Sequence, residues 1–264
     1  MTAAGAIGAF NIVQIEHATA IAAGAERAGF PVVMQISENT VRYHGALEPI
    51  ALAALSIARA ATVPVTVHLD HATDPDLVEE AVALGITSVM YDASALPYDE
   101  NVATTASIAR RCHRAGVRVE GELGEIGGKD GVHSPGARTD PAQAAAYVAV
   151  TGVDALAVAV GSSHAMRTRD AELDLDLIAR LRDAVPVPLV LHGSSGVPEP
   201  DLVRAVAHGM RKVNIATHLN RRFTGALRTA LDADPALTDS RKYVGPAREA
   251  VAAEVARLLR LLAG

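Results

Sequence analysis

Residues 64–75 read PVTVHLDHATDP, an apolar β-branched run that ends in acidic and imidazole side chains and is followed at once by an Asp-Pro pair. Val and Thr favour a strand over this run, and the Asp-Pro pair is typical of a helix start. Two further runs have the same form: ALAVAVGSSH ends at His164 and PLVLH ends at His192. A strand that ends in a polar side chain and is followed by a helix is the repeating unit of an α/β barrel.

Strands and helices alternate along the whole chain. The strands are nearly continuous apolar runs, as expected for parallel strands that helices cover, and Ala-rich amphipathic segments separate them. The pattern predicts a single-domain (β/α)8 TIM barrel over residues 1–264. A doubly wound open sheet is the alternative, but no Gly-rich phosphate loop follows the first strand. The predicted strands are 6–12, 32–37, 64–70, 88–94, 118–124, 155–161, 189–193 and 212–218, and the helical segments include 17–29, 46–61, 74–85, 98–115 and 140–152.

Composition narrows the class of protein. The 264 residues are 50% hydrophobic and 20% charged, which is enough apolar material for one large core. A net charge of −6 without a basic stretch argues against a nucleic-acid partner, and no apolar run is long enough to span a bilayer. The N-terminus lacks the features of a signal peptide, and a lone cysteine, Cys112, excludes a disulfide framework. We expect a cytoplasmic protein without a membrane partner.

In a TIM barrel the active site lies at the C-terminal ends of the strands. That rule selects one set of candidate residues from the predicted strands: Asn11, Asp70, His71, Asp92, Ser94, Glu122, His164, His192, Ser195, Asn214 and Thr217.

Three of these candidates are histidines at equivalent strand ends, namely His71, His164 and His192. Any one of them alone is more often an ordinary hydrogen-bonded side chain, but the barrel would bring all three to one place. Three neutral imidazoles form a catalytic zinc site with the fourth position open. Asp70, next to His71, is a candidate proton-transfer group, whereas His68 is expected to fill an interior layer of the barrel.

The loops after the seventh and eighth strands predict a phosphate site. HGSSG supplies the backbone N–H groups of Gly193, Ser194 and Ser195, which can form an anion-binding nest. NIAT (214–217) follows on the neighbouring strand, with Ala216 and the Thr217 hydroxyl at its end. These two loops are the usual phosphate cradle of such barrels.

Six ordered motifs resemble one family. They are HLDHATD, SVMYDAS, VEGELGEIGG, TGVDALAVAVGSSH, LVLHGSSG and KVNIAT, with SRKYVGPAREA near the end. In order and spacing they are similar to the class II, zinc-dependent fructose-bisphosphate and tagatose-bisphosphate aldolases. The resemblance implies a TIM barrel that works as a homodimer or homotetramer. It also implies reversible cleavage of a ketose 1,6-bisphosphate to dihydroxyacetone phosphate and glyceraldehyde 3-phosphate.

The resemblance also implies a role for each matching residue. The zinc ligands would be His71, His164 and His192, with Glu122 as an alternate ligand, and Asp70 would be the acid/base residue. A monovalent cation is a second candidate cofactor beside Zn²⁺. The dihydroxyacetone phosphate moiety would be bound by Gly193, Ser194, Ser195, Asn214, Ala216 and Thr217.

This sequence departs from the family pattern in several places. Ala165 stands where many members have a glycine after the second zinc histidine. The loop 127–138 is shorter and less acidic than in many relatives. A second proton-transfer acid is expected from this region, and Glu125 and Asp130 are both candidates. Arg241 in the SRKY segment is a candidate ligand for the second phosphate of the substrate.

Three alternatives remain at this stage. A same-family aldolase acting on another phosphorylated keto sugar or keto acid, such as a 2-deoxy-5-keto-gluconate 6-phosphate, would share every residue above. A Schiff-base aldolase needs a lysine projecting into the barrel, and Lys129, Lys212 and Lys242 look badly placed, Lys212 because it begins the predicted eighth strand. A non-catalytic barrel subunit would be expected to have lost its metal ligands.

Overall fold

The computed structural model describes residues 5–124, 138–162 and 171–264. Within these ranges, eight parallel strands pair in sequence order, and β1 pairs with β8 to close the ring. The chain is therefore a (β/α)8 TIM barrel, as the alternation of strand and helix patterns predicts. The open doubly wound sheet is excluded, because such a sheet would leave two strand edges unpaired.

The strands are β1 (Ile7–Asn11), β2 (Val32–Ser37), β3 (Val65–Ala72), β4 (Ser88–Tyr91), β5 (Arg118–Leu123), β6 (Ala155–Val158), β7 (Leu189–Leu191) and β8 (Met210–Ile215). The helices are α1 (Ile15–Ala28), α2 (Glu38–His44), α3 (Glu48–Ala60), α4 (Pro75–Ala83), α5 (Tyr98–Arg114), α6 (Pro141–Thr151), α7 (Leu175–Ala184), α8 (Glu199–His208), α9 (Thr217–Ala233) and α10 (Ser240–Ala263).

Local sequence signals account for several of the helix boundaries. Asp74 and Asp140 each accept a hydrogen bond from a backbone N–H of the first turn and stand directly before a proline. Gly29 and Gly152 end α1 and α6 in the left-handed conformation, which glycine adopts without a Cβ clash. The predicted helix starts at these two Asp-Pro pairs are confirmed.

Several predicted strands run past their observed ends because the apolar pattern continues into the loops. The clearest correction is at the eighth strand, predicted over 212–218 but observed over Met210–Ile215. Thr217 begins α9, so His218 lies on a helix. Lys212 is therefore the third residue of β8, and its side chain is 10% exposed inside the barrel rather than at the strand's outer end.

β3 contains the one irregularity that shapes the site. Its pairing with β4 shifts register between Leu69 and Ala72, which is a β-bulge. Within this bulge His71 has φ 51°, a left-handed conformation that costs a non-glycine residue about 1–2 kcal/mol. The bulge turns the His71 ring away from the regular alternation of the strand.

α10 packs along α1 and α9 on the outside of the barrel. The contact with α1 is close at Gly24, where an added Cβ would lie 2.6 Å from the carbonyl oxygen of Ala252. The C-terminal helix therefore covers its own barrel. In the described part of the chain, no helix combines the length and the apolar character that crossing a membrane requires.

Candidate active site

A cavity of about 180 Å³ opens at the C-terminal ends of the strands. The loops after β1, β2, β3, β7 and β8 form its walls, so side chains far apart in sequence meet here. Its lining residues are Asn11, Ser37, Asn39, Asp70, His71, Gly193, Ser194, Ser195, Asn214, Ala216 and Thr217.

Two of the predicted metal-binding histidines meet beside this cavity. His71 Nε2 lies 2.9 Å from His192 Nδ1, and the two rings are nearly perpendicular. The other nitrogen of each ring faces a carboxylate: His71 Nδ1 is 2.8 Å from Asp92 Oδ2, and His192 Nε2 is 3.0 Å from Glu120 Oε1. If each neutral imidazole donates a hydrogen bond from its N–H to its carboxylate, then His71 Nε2 and His192 Nδ1 both carry lone pairs. These two lone pairs point at each other.

Facing lone pairs repel each other unless a cation lies between them, so the residues present fit a metal ion. Glu122, fully buried, adds a carboxylate oxygen 3.8 Å from the Nδ1 atoms of His71 and of His192. Ligand atoms of Asp70, His71 and His192 all lie within 4.8 Å of one another, as do those of His71, Asp92 and Glu122. Imidazole and carboxylate donors of this kind suit Zn²⁺.

Asp70 lies in the wall of the cavity, and each of its carboxylate oxygens accepts a hydrogen bond. Asn11 donates to Oδ2 at 2.7 Å, and Gln35 donates to Oδ1 at 2.7 Å. Burial alone would raise the pKa of Asp70, but His71, His192 and Lys212 outweigh burial and lower this pKa to about 2. The carboxylate is therefore ionised at neutral pH and fixed in orientation by two amides.

The serine turn after β7 and the start of α9 both line the cavity. Gly193 is left-handed (φ 66°), and a short 3₁₀ turn over Ser194–Gly196 follows it. The Ser194 hydroxyl donates to the carbonyl of Asn214, and the Ser195 hydroxyl accepts from the N–H of His218 in the first turn of α9. The start of α9 therefore faces the same cavity as the serine loop, and its helix dipole favours an anion there.

Two buried amide oxygens have no hydrogen-bond partner among the described residues: Oδ1 of Asn214 and Oε1 of Gln35. Asn214 is a cavity-lining residue, and Gln35 holds Asp70. A buried polar atom without a partner is costly in a native fold. The pair therefore indicates polar groups that a bound molecule would satisfy.

Other predicted site residues either lie outside the described residues or are absent from the described lining of the cavity. His164, Ala165, Glu125 and Asp130 lie outside the described residues. Arg241 is on the first turn of α10, where its side chain is 89% exposed and pairs with Asp239 at 3.0 Å. Ser94 donates to Asp92 Oδ1 at 2.7 Å and so holds the carboxylate that faces His71.

Sequence reasoning missed four residues that touch this site: Gln35, Ser37, Asn39 and Glu120. Gln35 lies two residues before the end of β2, and Glu120 lies two residues before Glu122 on the same face of β5. Strand alternation points both of them into the barrel, and that signal was available. His68 does fill an interior layer as predicted, where it bonds Ser88 at 2.8 Å. Burial and then Lys212 lower the pKa of His68 to about 3.

Comparison with known proteins identifies the family that the sequence motifs resemble. The family model for "Fructose-bisphosphate aldolase class-II" matches residues 2–264. The chain is 39% identical over 259 residues to a fructose-bisphosphate aldolase of Geobacillus stearothermophilus, covering 97% of this chain and 90% of that one. It is 39% identical over 250 residues to a probable fructose-bisphosphate aldolase of Bacillus subtilis, covering 93% and 88%.

A solved structure extends the match to three dimensions. The crystal structure of the YdjI aldolase of Escherichia coli K12 superposes with a TM-score of 0.86 at 33% identity, covering 98% of this chain and 91% of that one. Fold, motif order and whole-chain similarity agree, and this chain belongs to the class II fructose-bisphosphate aldolase family and is an aldolase, a lyase of carbon–carbon bonds.

Proposed function

We propose that this aldolase is zinc-dependent and reversibly cleaves a ketose 1,6-bisphosphate, fructose or tagatose, to dihydroxyacetone phosphate and glyceraldehyde 3-phosphate. The observation that carries the proposal is the pair of facing imidazole nitrogens, 2.9 Å apart, beside the ionised Asp70. A metal-ligand pair next to a fixed carboxylate is what aldol cleavage requires: a site for developing negative charge and a base for a hydroxyl proton.

His71 and His192 would hold the metal, with His164 as third ligand and Glu122 as alternate ligand. When bound, Zn²⁺ acts as a Lewis acid toward the oxygens of the three-carbon fragment, whose negative charge grows as the carbon–carbon bond breaks. Asp92, with Ser94 behind it, orients the His71 ring toward that place.

Asp70 takes the hydroxyl proton of the substrate in cleavage and returns it to the aldehyde in condensation. The amides of Asn11 and Gln35 fix the carboxylate, so little reorganisation is needed when the proton moves. The amide of Asn214 lines the cavity and is placed to hydrogen-bond the three-carbon fragment.

The phosphate of that fragment binds at the turn Gly193–Ser195 and at Ala216 and Thr217, where α9 begins. Backbone N–H groups and the helix dipole supply the attraction, and among the described lining residues there is no lysine or arginine. This contact lies away from the breaking bond and uses binding energy to orient the reacting atoms. Arg241 is proposed for the second phosphate, which requires its exposed side chain to leave Asp239.

The test is to measure cleavage of fructose 1,6-bisphosphate and tagatose 1,6-bisphosphate by the purified protein, before and after EDTA and after added Zn²⁺. We expect activity that is lost with the chelator and restored by zinc, and the faster substrate identifies the aldehyde pocket. Full activity in EDTA, after the bound metal has been shown to be removed, would contradict the zinc dependence.

A protein that binds zinc but cleaves neither sugar would be a same-family aldolase for another phosphorylated keto sugar or keto acid. Production of dihydroxyacetone phosphate from a panel of such substrates distinguishes that outcome. We also propose that residues 1–264 act as one domain and that the enzyme is a homodimer or homotetramer. Light scattering after size-exclusion chromatography measures the subunit number directly.

A further inference from the structure

A chain of buried polar groups continues from the proposed metal site down the centre of the barrel. His192 Nε2 lies 3.0 Å from Glu120 Oε1, and Glu120 Oε2 accepts from Lys212 Nζ at 2.6 Å. Lys212 Nζ in turn lies 3.4 Å from His68 Nε2. Strands β3, β5 and β8, together with the residue directly after β7, therefore contribute side chains to one hydrogen-bonded chain.

These groups are almost completely shielded from water. The relative exposures are 0% for His192, 3% for Glu120 and 8% for Lys212. Branched apolar side chains usually fill this part of a TIM barrel. A buried ion pair costs about as much in lost hydration as it gains in attraction, so stability alone does not explain why charges occupy this position.

The Glu120 carboxylate instead acts on the orientation of His192. A neutral imidazole has one N–H and one lone pair, and the group that accepts the N–H decides which nitrogen is left to bind a metal. Asn214 Nδ2 also lies 3.0 Å from His192 Nε2, and an N–H on that ring nitrogen requires the Asn214 amide to present its Oδ1 there instead, where it is a weaker acceptor than the carboxylate. Donation from Nε2 to Glu120 leaves the Nδ1 lone pair directed at His71.

We infer that Glu120, held in place by Lys212, is a positioning residue that fixes the tautomer and ring orientation of His192 for metal binding. The inference rests on the proposed metal site. It assigns Lys212 a supporting role: its ammonium holds the second oxygen of Glu120, so the first oxygen stays directed at His192. Asp92 does the same for His71 from the loop after β4, so each of the two imidazoles has its own carboxylate.

Two double variants test this inference, Glu120→Gln/Lys212→Met and Glu120→Leu/Lys212→Met. Both lack the lysine and neither leaves an unpaired buried charge, so they differ only in whether residue 120 can accept the His192 N–H. We expect the Gln variant to bind Zn²⁺ with near wild-type affinity in competition with a chelator. The Leu variant should bind about 10–100-fold more weakly. The Co²⁺-loaded Leu variant should also show a changed visible absorption spectrum.

The control is Asp154→Asn, which replaces a carboxylate directly before β6 that accepts from the Val119 N–H and from His113, away from the site. It should leave Zn²⁺ affinity unchanged. Equal affinities in the two double variants would overturn the inference, whatever their thermal stability.

Should the Leu variant fail to fold, the wild-type protein decides the question. Nitrogen-15 NMR of its histidine rings should show the Nε2–H tautomer at His192, with a strongly deshielded proton, and the Nδ1–H tautomer would refute the inference. Failure of the proposed function gives a different result. A wild-type protein that binds no Zn²⁺ would contradict the proposed metal site, and the tautomer of His192 could still be measured by NMR.

Discussion

At the scale of single residues, the left-handed backbone of His71 is the most testable feature. Replacing His71 by Gly or by Ala removes the same imidazole, but only Gly adopts φ 51° without strain. We expect the metal-free His71→Gly variant to be more stable than His71→Ala by about 1 kcal/mol, measured by urea denaturation.

The same pair of substitutions at His192 provides the control. Glycine has more freedom to lose on folding than alanine, so the order there should reverse in favour of Ala. A His71→Ala variant at least as stable as His71→Gly would show that the bulge stores no backbone strain.

Asp70 is proposed as the base and His192 as a metal ligand, and this difference in role gives a second prediction for single residues. His192→Ala should lose Zn²⁺ binding and aldol cleavage together, because it removes a ligand. Asp70→Ala should keep Zn²⁺ binding and lose cleavage by a factor of about 10²–10⁴, because it removes the base. Calorimetric zinc titration and a coupled assay for dihydroxyacetone phosphate measure the two properties separately. Full activity in Asp70→Ala would remove that residue from its proposed role.

Residues at strand ends were predictable from the sequence, and so was the inward direction of Glu120, but the groups that Glu120 meets inside the barrel were not. Asp70, His71 and His192 stand out because a polar side chain closes an apolar run. Glu120 and Lys212 lie inside their strands, where a charge normally argues against burial, and their partners come from other strands 72 to 92 residues away. Only the closed ring shows that the two charges and the imidazole meet.

At the scale of helices, we expect the substitution of glycine by alanine to have opposite effects on stability at two positions. Glycine within a helix usually costs about 1 kcal/mol relative to alanine. At Gly24 of α1, however, a Cβ would lie 2.6 Å from the Ala252 carbonyl and 2.7 Å from Val255 Cβ, both on α10. Gly24→Ala should therefore lower the free energy of unfolding by about 1–3 kcal/mol through overpacking.

Gly225 of α9 is the matched control, because a Cβ there meets no atom within 4 Å. Gly225→Ala should raise the melting temperature slightly, while Gly24→Ala lowers it. A gain in stability at both positions would mean that α10 moves away from α1 at little cost.

Helix positions were well predicted because capping is local, and strand ends were less so. The Asp-Pro pairs at 74–75 and 140–141 carry their own signal in adjacent residues. β8 ends at Ile215 because Thr217 already belongs to α9, and the apolar pattern of KVNIAT contains nothing that marks this change. The position of Lys212 was misjudged at the other end of this strand, because β8 begins at Met210, two residues before its predicted start.

At the scale of the whole molecule, a bound metal should stabilise the barrel. His71 and His192 come from β3 and β7, on different sides of the ring, so one ion holds distant strands together. At a free Zn²⁺ concentration about 100 times the dissociation constant, the gain is about 2.7 kcal/mol. We expect a higher melting temperature with Zn²⁺ in differential scanning fluorimetry, a return to the lower value in EDTA, and no response in His192→Ala.

The pairing of β1 with β8 also has a consequence for the order of events during synthesis. Ala9 pairs with Asn214, so the first strand made must wait for the last one before the ring can close. His192 follows His71 by 121 residues. A nascent chain that has already exposed HLDH therefore lacks the second imidazole, the serine loop and Asn214. The proposed metal site can therefore form only after His192 and the serine loop have been made, late in the synthesis of the chain.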